Sequence, residues 1–261
     1  MKLIKRIVQK FKNNKSKKNG SVWSSAFKTW EESLLVSSGY DSNFILELCK
    51  NALLKVKNGE AAFERDSTVF DKVSYNFKVL AALQNVCIEN KNNLSVLDFG
   101  GSLGSKYFQN KLFFQKANLF EWSIVEQKHF VETGKTHFKD SFLDFFFTIN
   151  SCISVRKPNV ILLNSVLQYL ENPYKILKEL LETNVETIVI DRTAFIDVKE
   201  DLICVQNVPS YKAKIPHWFF SIEKFQLFLE KFNKKIIVED VSDIQFNNSD
   251  LQSISKFLII K

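Results

Sequence analysis

No two cysteines in this sequence sit close enough in the chain to clasp a metal. The four, at 49, 87, 152 and 204, are spread through 261 residues with no CxxC or CxxxH spacing. That excludes a zinc knuckle and, in a chain of this length, a disulfide scaffold; four buried, reduced thiols are expected, and no metal. Glycine and proline are scarce too, at seven and four residues, and no internal repeat or low-complexity linker interrupts the chain. Long apolar runs are missing. Uncharged stretches such as 159–170 fall well short of the ~18 apolar residues that span a bilayer. The N-terminus is charged but has no apolar core, so it does not read as a secretory signal. A cytoplasmic protein is expected.

The formal charge of +7 suggests a nucleic-acid binder until it is located. Residues 1–18 hold eight of the 36 Lys and Arg and no acid, so the remaining 28 basic residues face 29 acidic ones. The body is near neutral, and no nucleic-acid partner is expected. The tail, "MKLIKRIVQKFKNNKSKK", puts Leu3, Ile4, Ile7, Val8 and Phe11 on one helical stripe among cations. It suits either a weak contact with an anionic membrane surface, which would make the protein peripheral at the inner membrane, or a solvated basic tail.

What the chain does have is apolar material, at 45% hydrophobic residues and 25 phenylalanines. Three segments follow: a basic tail over 1–20, a helical cap over 21–93, and an α/β domain over 94–261. Asp41 is a candidate N-cap for a helix carrying Phe44, Ile45, Leu48, Cys49, Ala52, Leu53 and Val56, with Gly59 beyond its end. A second helix carries Phe77, Leu80, Ala81, Gln84, Cys87 and Ile88. "FERD" at 63–66 reads as a helix start with a surface ion pair, or as a lid contact. From residue 94 apolar runs alternate with helices: "LSVLDF", a helix near 104–115, "WSIVE", "NVILLN", "NPYKILKELLE", "ETIVID", "SIEKFQLFLEKF" and two closing runs. Near-continuous Val/Ile/Leu runs suit strands covered on both faces, so a mainly parallel sheet in an α/β layering is expected. The last two runs are too close for a crossover and predict an antiparallel pair at the sheet edge.

Ligands of open α/β sheets sit beyond the carboxyl ends of the strands. Those ends carry Asp98 with the loop Gly100, Gly101, Ser102 and Gly104, then Glu126, Asn164-Ser165 and Asp191-Arg192-Thr193. Glu126 falls 22 residues after Gly104, where an acid can accept both hydroxyls of a ribose. A nucleoside ligand is expected. The G-x-G-x-x-G register is missed at two glycines, which argues against a dinucleotide, and no P-loop is present.

The run Asp98-Phe99-Gly100-Gly101-Ser102-Leu103-Gly104 resembles the acid-x-G-x-G-x-G loop of class I S-adenosylmethionine-dependent methyltransferases, with Ser102 in place of the middle glycine. "SVLDFGGSLGSKYF", "WSIVEQKHFVETG", "NVILLNSVLQYLENPYKILKELL", "IVIDRTAF" and "IPHWFFS" together resemble a family of methyltransferases found with surface-polysaccharide genes. "SSGYD" and "GEAAFERDSTVF" extend that resemblance, which covers about residues 23–240. It implies a Rossmann-like, seven-stranded fold binding S-adenosylmethionine. By position, Asp98 and Gly100, Gly101, Ser102 and Gly104 would flank the methionine part, and Glu126 the ribose. Asp140 would lie near the adenine, and Asn164 and Ser165 beside the sulfonium.

The expected partner is a small-molecule or glycan acceptor, methylated on oxygen in a sugar or surface-polysaccharide precursor. A hydroxyl acceptor calls for a base. His129 and His137 follow the second strand and suit an outer helix. His217 lies in "VPSYKAKIPHWFFS", read as a long excursion after the fifth strand, with Tyr211 and Trp218 to hold a sugar-like ring; alternatively the aromatics only anchor this loop. Asp191 is the other candidate base. Arg192 would bind an anionic acceptor or pair with a neighbouring acid. A non-catalytic cofactor-binding or assembly protein keeping this fold is the rival to the enzyme.

Overall fold

The computed structural model describes residues 22–38, 43–246, 248 and 250–261. The proposed cap at Asp41 and the basic tail lie outside them.

The buried runs form a sheet whose central path is β10 (Ile236–Val241), β11 (Ile254–Ile260), β7 (Thr187–Ile196), β6 (Val160–Asn164), β3 (Asn93–Phe99), β4 (Leu119–Val125) and β5 (Leu143–Phe146), in that spatial order. Strands β3 to β7 pair in parallel, and β11 runs antiparallel to both β7 and β10. The Rossmann-like, mainly parallel sheet and the antiparallel edge pair are therefore present, but the sheet has nine strands where seven are expected: seven lie on this path and two more join it through β7. Consecutive strand residues point to opposite faces. Val96, Val160, Leu162 and Val189 thus join one apolar cluster, and Leu97, Ile161, Leu163, Ile188 and Ile190 the other.

Helices cover both faces. On the first lie α2 (Asn43–Lys57), α3 (Phe77–Glu89), α4 (Ser105–Asn110) and α5 (Lys128–His137); α1 (Trp30–Leu34) is a single short turn near the N-terminus. On the second lie α6 (Ile149–Val155), α7 (Pro173–Leu181) and α8 (Ile222–Glu230). Local chemistry sets their starts: Asn76, Thr148 and Ser221 cap α3, α6 and α8 with side-chain oxygens, and Pro173 opens α7.

Three segments differ from expectation. The cap region is not wholly helical, because β1 (Phe63–Arg65) and β2 (Thr68–Phe70) form a hairpin around Asp66-Ser67, both at positive φ as a two-residue hairpin turn requires. "FERD" is therefore a strand and turn, not a helix start. The excursion after the fifth strand is likewise a hairpin, β8 (Leu202–Val208) with β9 (Ala213–Ser221), whose end runs parallel to the end of β7. Trp23 and Phe27 bridge to Gln206 and Ile203, strapping the N-terminal segment along β8. The helix expected near 104–115 is shorter, ending at Asn110 and continuing as a tight 3-10 turn to Phe114.

All four cysteines are buried, and none is joined in a disulfide. Among the described residues no helix is long and apolar enough to cross a membrane.

Gly134 brings α5 directly onto β5: a Cβ there would fall 2.4 Å from the Phe145 ring. Gly134→Ala would gain about 1 kcal/mol of helix propensity in open space. Here overpacking at about 1–3 kcal/mol sets the sign, so the variant is expected to unfold at lower urea than the wild type. A higher midpoint would show that the contact yields.

Candidate functional site

Two cavities open at the carboxyl ends of β3, β4, β6 and β7. The larger, about 420 Å³, is lined by Phe99, Gly100, Ser102, Glu126, Gln127, Phe147, Thr148, Ser165 and Tyr169 among others. The smaller, about 260 Å³, takes in Asp98, Gly100, Gly101, Ser102, Asn164, Ser165, Tyr169, Arg192 and Tyr211, with Glu64, Arg65 and Asp66 from the β1–β2 hairpin and Lys106 from α4. Gly100, Ser102, Ser165 and Tyr169 line both, so the cavities adjoin along the glycine loop.

The loop is shaped by close approach. Gly100 has φ +71, and a Cβ on it would fall 2.3 Å from Val166; a Cβ on Gly101 would fall 2.6 Å from the Asp98 carboxylate. Ser102, at φ 54, stands in the left-handed region that the missing glycine would occupy freely. Gly104 does not line either cavity and serves as the left-handed start of α4. Glu126 closes the loop from the second strand: its Oε1 accepts from the Ser102 N–H at 3.2 Å and its Oε2 from the Gln127 N–H at 2.8 Å.

Asp98 is 1% exposed, and its Oδ2 accepts from Trp122 Nε1 at 3.0 Å. Burial pushes its carboxyl up to about 7, against the pull of that hydrogen bond. Asn164 presents a buried Oδ1 with no hydrogen-bond partner among the described residues. Arg192, at φ 54, lines the smaller cavity while its Nε and Nη2 donate to the Asp243 carboxylate at 3.0 and 2.9 Å. Of the two alternatives for Arg192, the pairing with a neighbouring acid is present, and the residue lines the cavity as well.

Besides Gly104, four expected site residues stand elsewhere. His217, in β9, is 0% exposed and encased by Trp23, Tyr169, Phe219 and Phe246, with ring centroids 4.7–5.5 Å away. Neither ring nitrogen has a side-chain partner, and burial brings its pKa down to about 3. It is a neutral core residue, since the segment is a strand rather than an open loop. Trp218 stacks on Trp30 at 5.8 Å and donates Nε1–H to the Leu170 carbonyl. It too lies off the cavity wall. Asp191 is pinned behind the wall, accepting from Asn76 Nδ2 at 2.7 Å and Ser242 Oγ at 2.8 Å.

Asp140 accepts from Tyr107 Oη and from the Phe142 and Leu143 amides, each at 2.8 Å. That places it at the start of β5, the end remote from the cavities. The position that the resemblance implied for Asp140 is displaced because β5, which begins after it, is only Leu143–Phe146. The residues that follow it, Phe147 and Thr148, are the ones that reach the larger cavity.

Lys106 was not foreseen as a site residue, and Glu64 only within "FERD", under its lid-contact alternative; Phe63, Glu64, Arg65 and Asp66 all line the smaller cavity. Glu64 is 4% exposed and accepts from the Ser105 hydroxyl and, at 2.8 Å, the Ser67 amide; burial raises its pKa. An amphipathic spacing carries no sign that Lys106 points inward, one residue into a six-residue helix.

No family model and no curated protein matches the sequence. Solved structures with a similar fold include the N-terminal domain of EvdMO1 in the presence of SAH and D-fucose, at 10% identity over 76% of this chain and 88% of that chain, TM-score 0.48. Magnesium protoporphyrin IX methyltransferase from Synechocystis PCC 6803 with bound SAM is similar at 12% identity over 70% and 76%, TM-score 0.46. So is an S-adenosylmethionine-dependent methyltransferase from Clostridium acetobutylicum ATCC 824, at 12% identity over 72% and 92%, TM-score 0.46. These are likenesses of fold and bring no residue role to this chain.

The burial of His217 has a pH signature. An unfolded histidine takes up a proton near 6.5 and the folded one only near 3, so the unfolded state binds more protons between those values. Stability is therefore lost as pH falls through this window, by about 2 kcal/mol between pH 7 and 5 from this group. His217→Phe should remove that share of the slope in urea titrations at the two pH values. Equal slopes would mean that His217 is not buried neutral.

Proposed function

We propose that the chain is an S-adenosylmethionine-dependent methyltransferase of class I type, acting on an oxygen of a small polar acceptor. A sugar or surface-polysaccharide precursor is the class that the sequence resemblance suggests. The observation that carries the proposal is the pair of adjoining cavities along the glycine loop. One carries Glu126 and is sized for a nucleoside; the other is a small chamber lined with charge.

The residues present fit the cofactor. Gly100 borders both cavities and Gly101 the smaller one, so the loop backbone is open to a ligand, and the orphaned Asn164 Oδ1 offers an acceptor beside it. Glu126 would take the ribose hydroxyls and Phe147 and Thr148 would flank the base. Asp98, Asn164 and Ser165 would hold the methionine part. S-adenosylmethionine supplies, when bound, a methyl group made electrophilic by its sulfonium.

The chain's own contribution is then placement. Tyr169, whose hydroxyl donates to Gln206 Oε1 at 3.0 Å, stands where the two cavities adjoin and would set the approach of the acceptor. Arg192 and Tyr211 would hold the acceptor from the chamber wall. His217 is out of reach as a base, so orientation of the reacting groups bears more of the catalysis, a contribution that reaches several kcal/mol in well-positioned reactions.

Calorimetry with S-adenosylmethionine and its demethylated product tests the proposal. Both should bind. Glu126→Ala should weaken them by about 1.5–3 kcal/mol, tenfold or more, and Asp140→Asn should leave affinity unchanged. Absence of binding by the wild type, or an intact affinity in Glu126→Ala, would overturn the assignment. A second outcome concerns Asp98, whose deprotonation near pH 7 restores a negative charge beside the chamber. Affinity for the cationic cofactor should rise through that pH and lose its rise in Asp98→Asn.

A further inference from the structure

The chamber holds one buried cation that no acid meets in an ion pair among the described residues. Arg192 is met by Asp243 in a two-point pair, Asp98 by Trp122, and Glu64 by Ser105 and Ser67. Arg65 lies over the Phe70 ring at 5.5 Å, half-buried, and Asp66 is exposed to water. Lys106 differs from all of these. It is 9% exposed, lines the chamber, and its Nζ donates to the neutral amide oxygen of Gln109 at 3.1 Å, with no ion pair among the described residues.

We propose that Lys106 is the counter-charge for a carboxylate or phosphate group on a ligand bound in this chamber, carried either by the amino-acid end of the cofactor or by the acceptor. The inference rests on the proposed function for what the ligands are, and on the buried, unpaired ammonium for the chemistry that recognises them. A buried ammonium with only a neutral partner is costly, and an anion supplies what is missing. A neutral polyol would leave it unanswered.

The charged groups that face Lys106 come from every neighbouring element: Asp98 at the end of β3, Asp191 and Arg192 on β7, Asp243 after β10, and Glu64 on β1. Burial, then Arg192, lower its pKa to about 8, and the acids act against that. The amine is thus still mostly protonated at neutral pH. Its single hydrogen bond leaves donors free for an anion, and an arriving anion must raise its pKa.

The test uses the full chain with Lys106→Met and Lys106→Arg, and Lys106→Gln should the Met variant fail to fold. S-adenosylhomocysteine is compared with 5′-methylthioadenosine, which lacks the carboxylate. Glucuronate and glucose 1-phosphate are compared with glucose, each with and without S-adenosylhomocysteine. Lys106→Met should weaken at least one anionic probe tenfold or more while sparing its neutral counterpart, and Lys106→Arg should recover part of the loss. NMR of the wild-type Lys106 ammonium should show its pKa rising when that probe binds. Loss confined to S-adenosylhomocysteine assigns the anion to the cofactor; loss with the sugar anions assigns it to the acceptor. Equal losses for charged and neutral probes, no loss at all, or a pKa that falls on binding would overturn the proposal, the last making Lys106 a proton acceptor instead. Failure of S-adenosylhomocysteine to bind the wild type would count against the proposed function alone, because the sugar anions are also tested without it.

Discussion

A carboxylate almost cut off from water stands at the end of the central strand, and the site is arranged around it. Asp98 is flanked by β4 and β6, both in parallel register with β3, so its position follows from the sheet itself. Its one side-chain hydrogen bond comes from Trp122, a fully buried residue of β4. Removing a carboxylate from water is expensive, and one neutral donor does not offset it, so burial pushes the carboxyl up to about 7. The loop that follows is forced to accommodate it. Gly101 lies against the carboxylate where no Cβ fits, and Gly100 turns away at positive φ to pass Val166. The cavity wall thus sets this acid near a buried Lys106 whose hydrogen bond also goes to a neutral group.

The walls of the smaller cavity come largely from outside the parallel sheet. The β1–β2 hairpin brings Glu64, Arg65 and Asp66, and the β8–β9 hairpin and its connection bring Gln206, Ser210 and Tyr211. What aligns these additions is a buried polar network at the sheet's edge. Asn76 caps α3 through Oδ1 and donates through Nδ2 to Asp191; Ser242 donates to the other Asp191 oxygen and accepts from the Arg192 amide. Asp243 then takes the Arg192 guanidinium. One carboxylate thus ties a helix start, a strand and the exit from β10 together. Asp191 is fully occupied by this work, which is the physical reason it is not placed to take a proton from an acceptor.

Legibility from sequence followed locality. The glycine loop, Glu126 and Asn164-Ser165 sit immediately after long apolar strands, so their register could be read from periodicity, and the structure brings them to one pair of cavities. Asp140 was misplaced because β5 is four residues long and leaves too little pattern to set its end. The β8–β9 hairpin was hidden by Pro216, which lies opposite Val205 within a strand where proline is seldom found. The burial of His217 depends on Trp23, nearly two hundred residues away, and on Phe246, contacts that no local pattern encodes. Lys106 is the same case in reverse: a lysine early in a short helix reads as solvated, yet it is buried in the wall of a cavity built from residues far apart in sequence.

Backbone strain marks the same place. Non-glycine residues at positive φ include Ser102 after β3, Ser165 after β6 and Arg192 within β7, three adjacent strands of the sheet. Each such conformation costs of order 1–3 kcal/mol and persists only where its surroundings enforce it. For Arg192 the enforcement is visible: the β7–β11 register slips between Lys256 and Leu258, opposite Thr193 and Ile190, so Asp191 and Arg192 form a bulge. In a regular strand these neighbours would point to opposite faces. The bulge lets Asp191 lock the network behind the wall while Arg192 lies in the cavity wall itself.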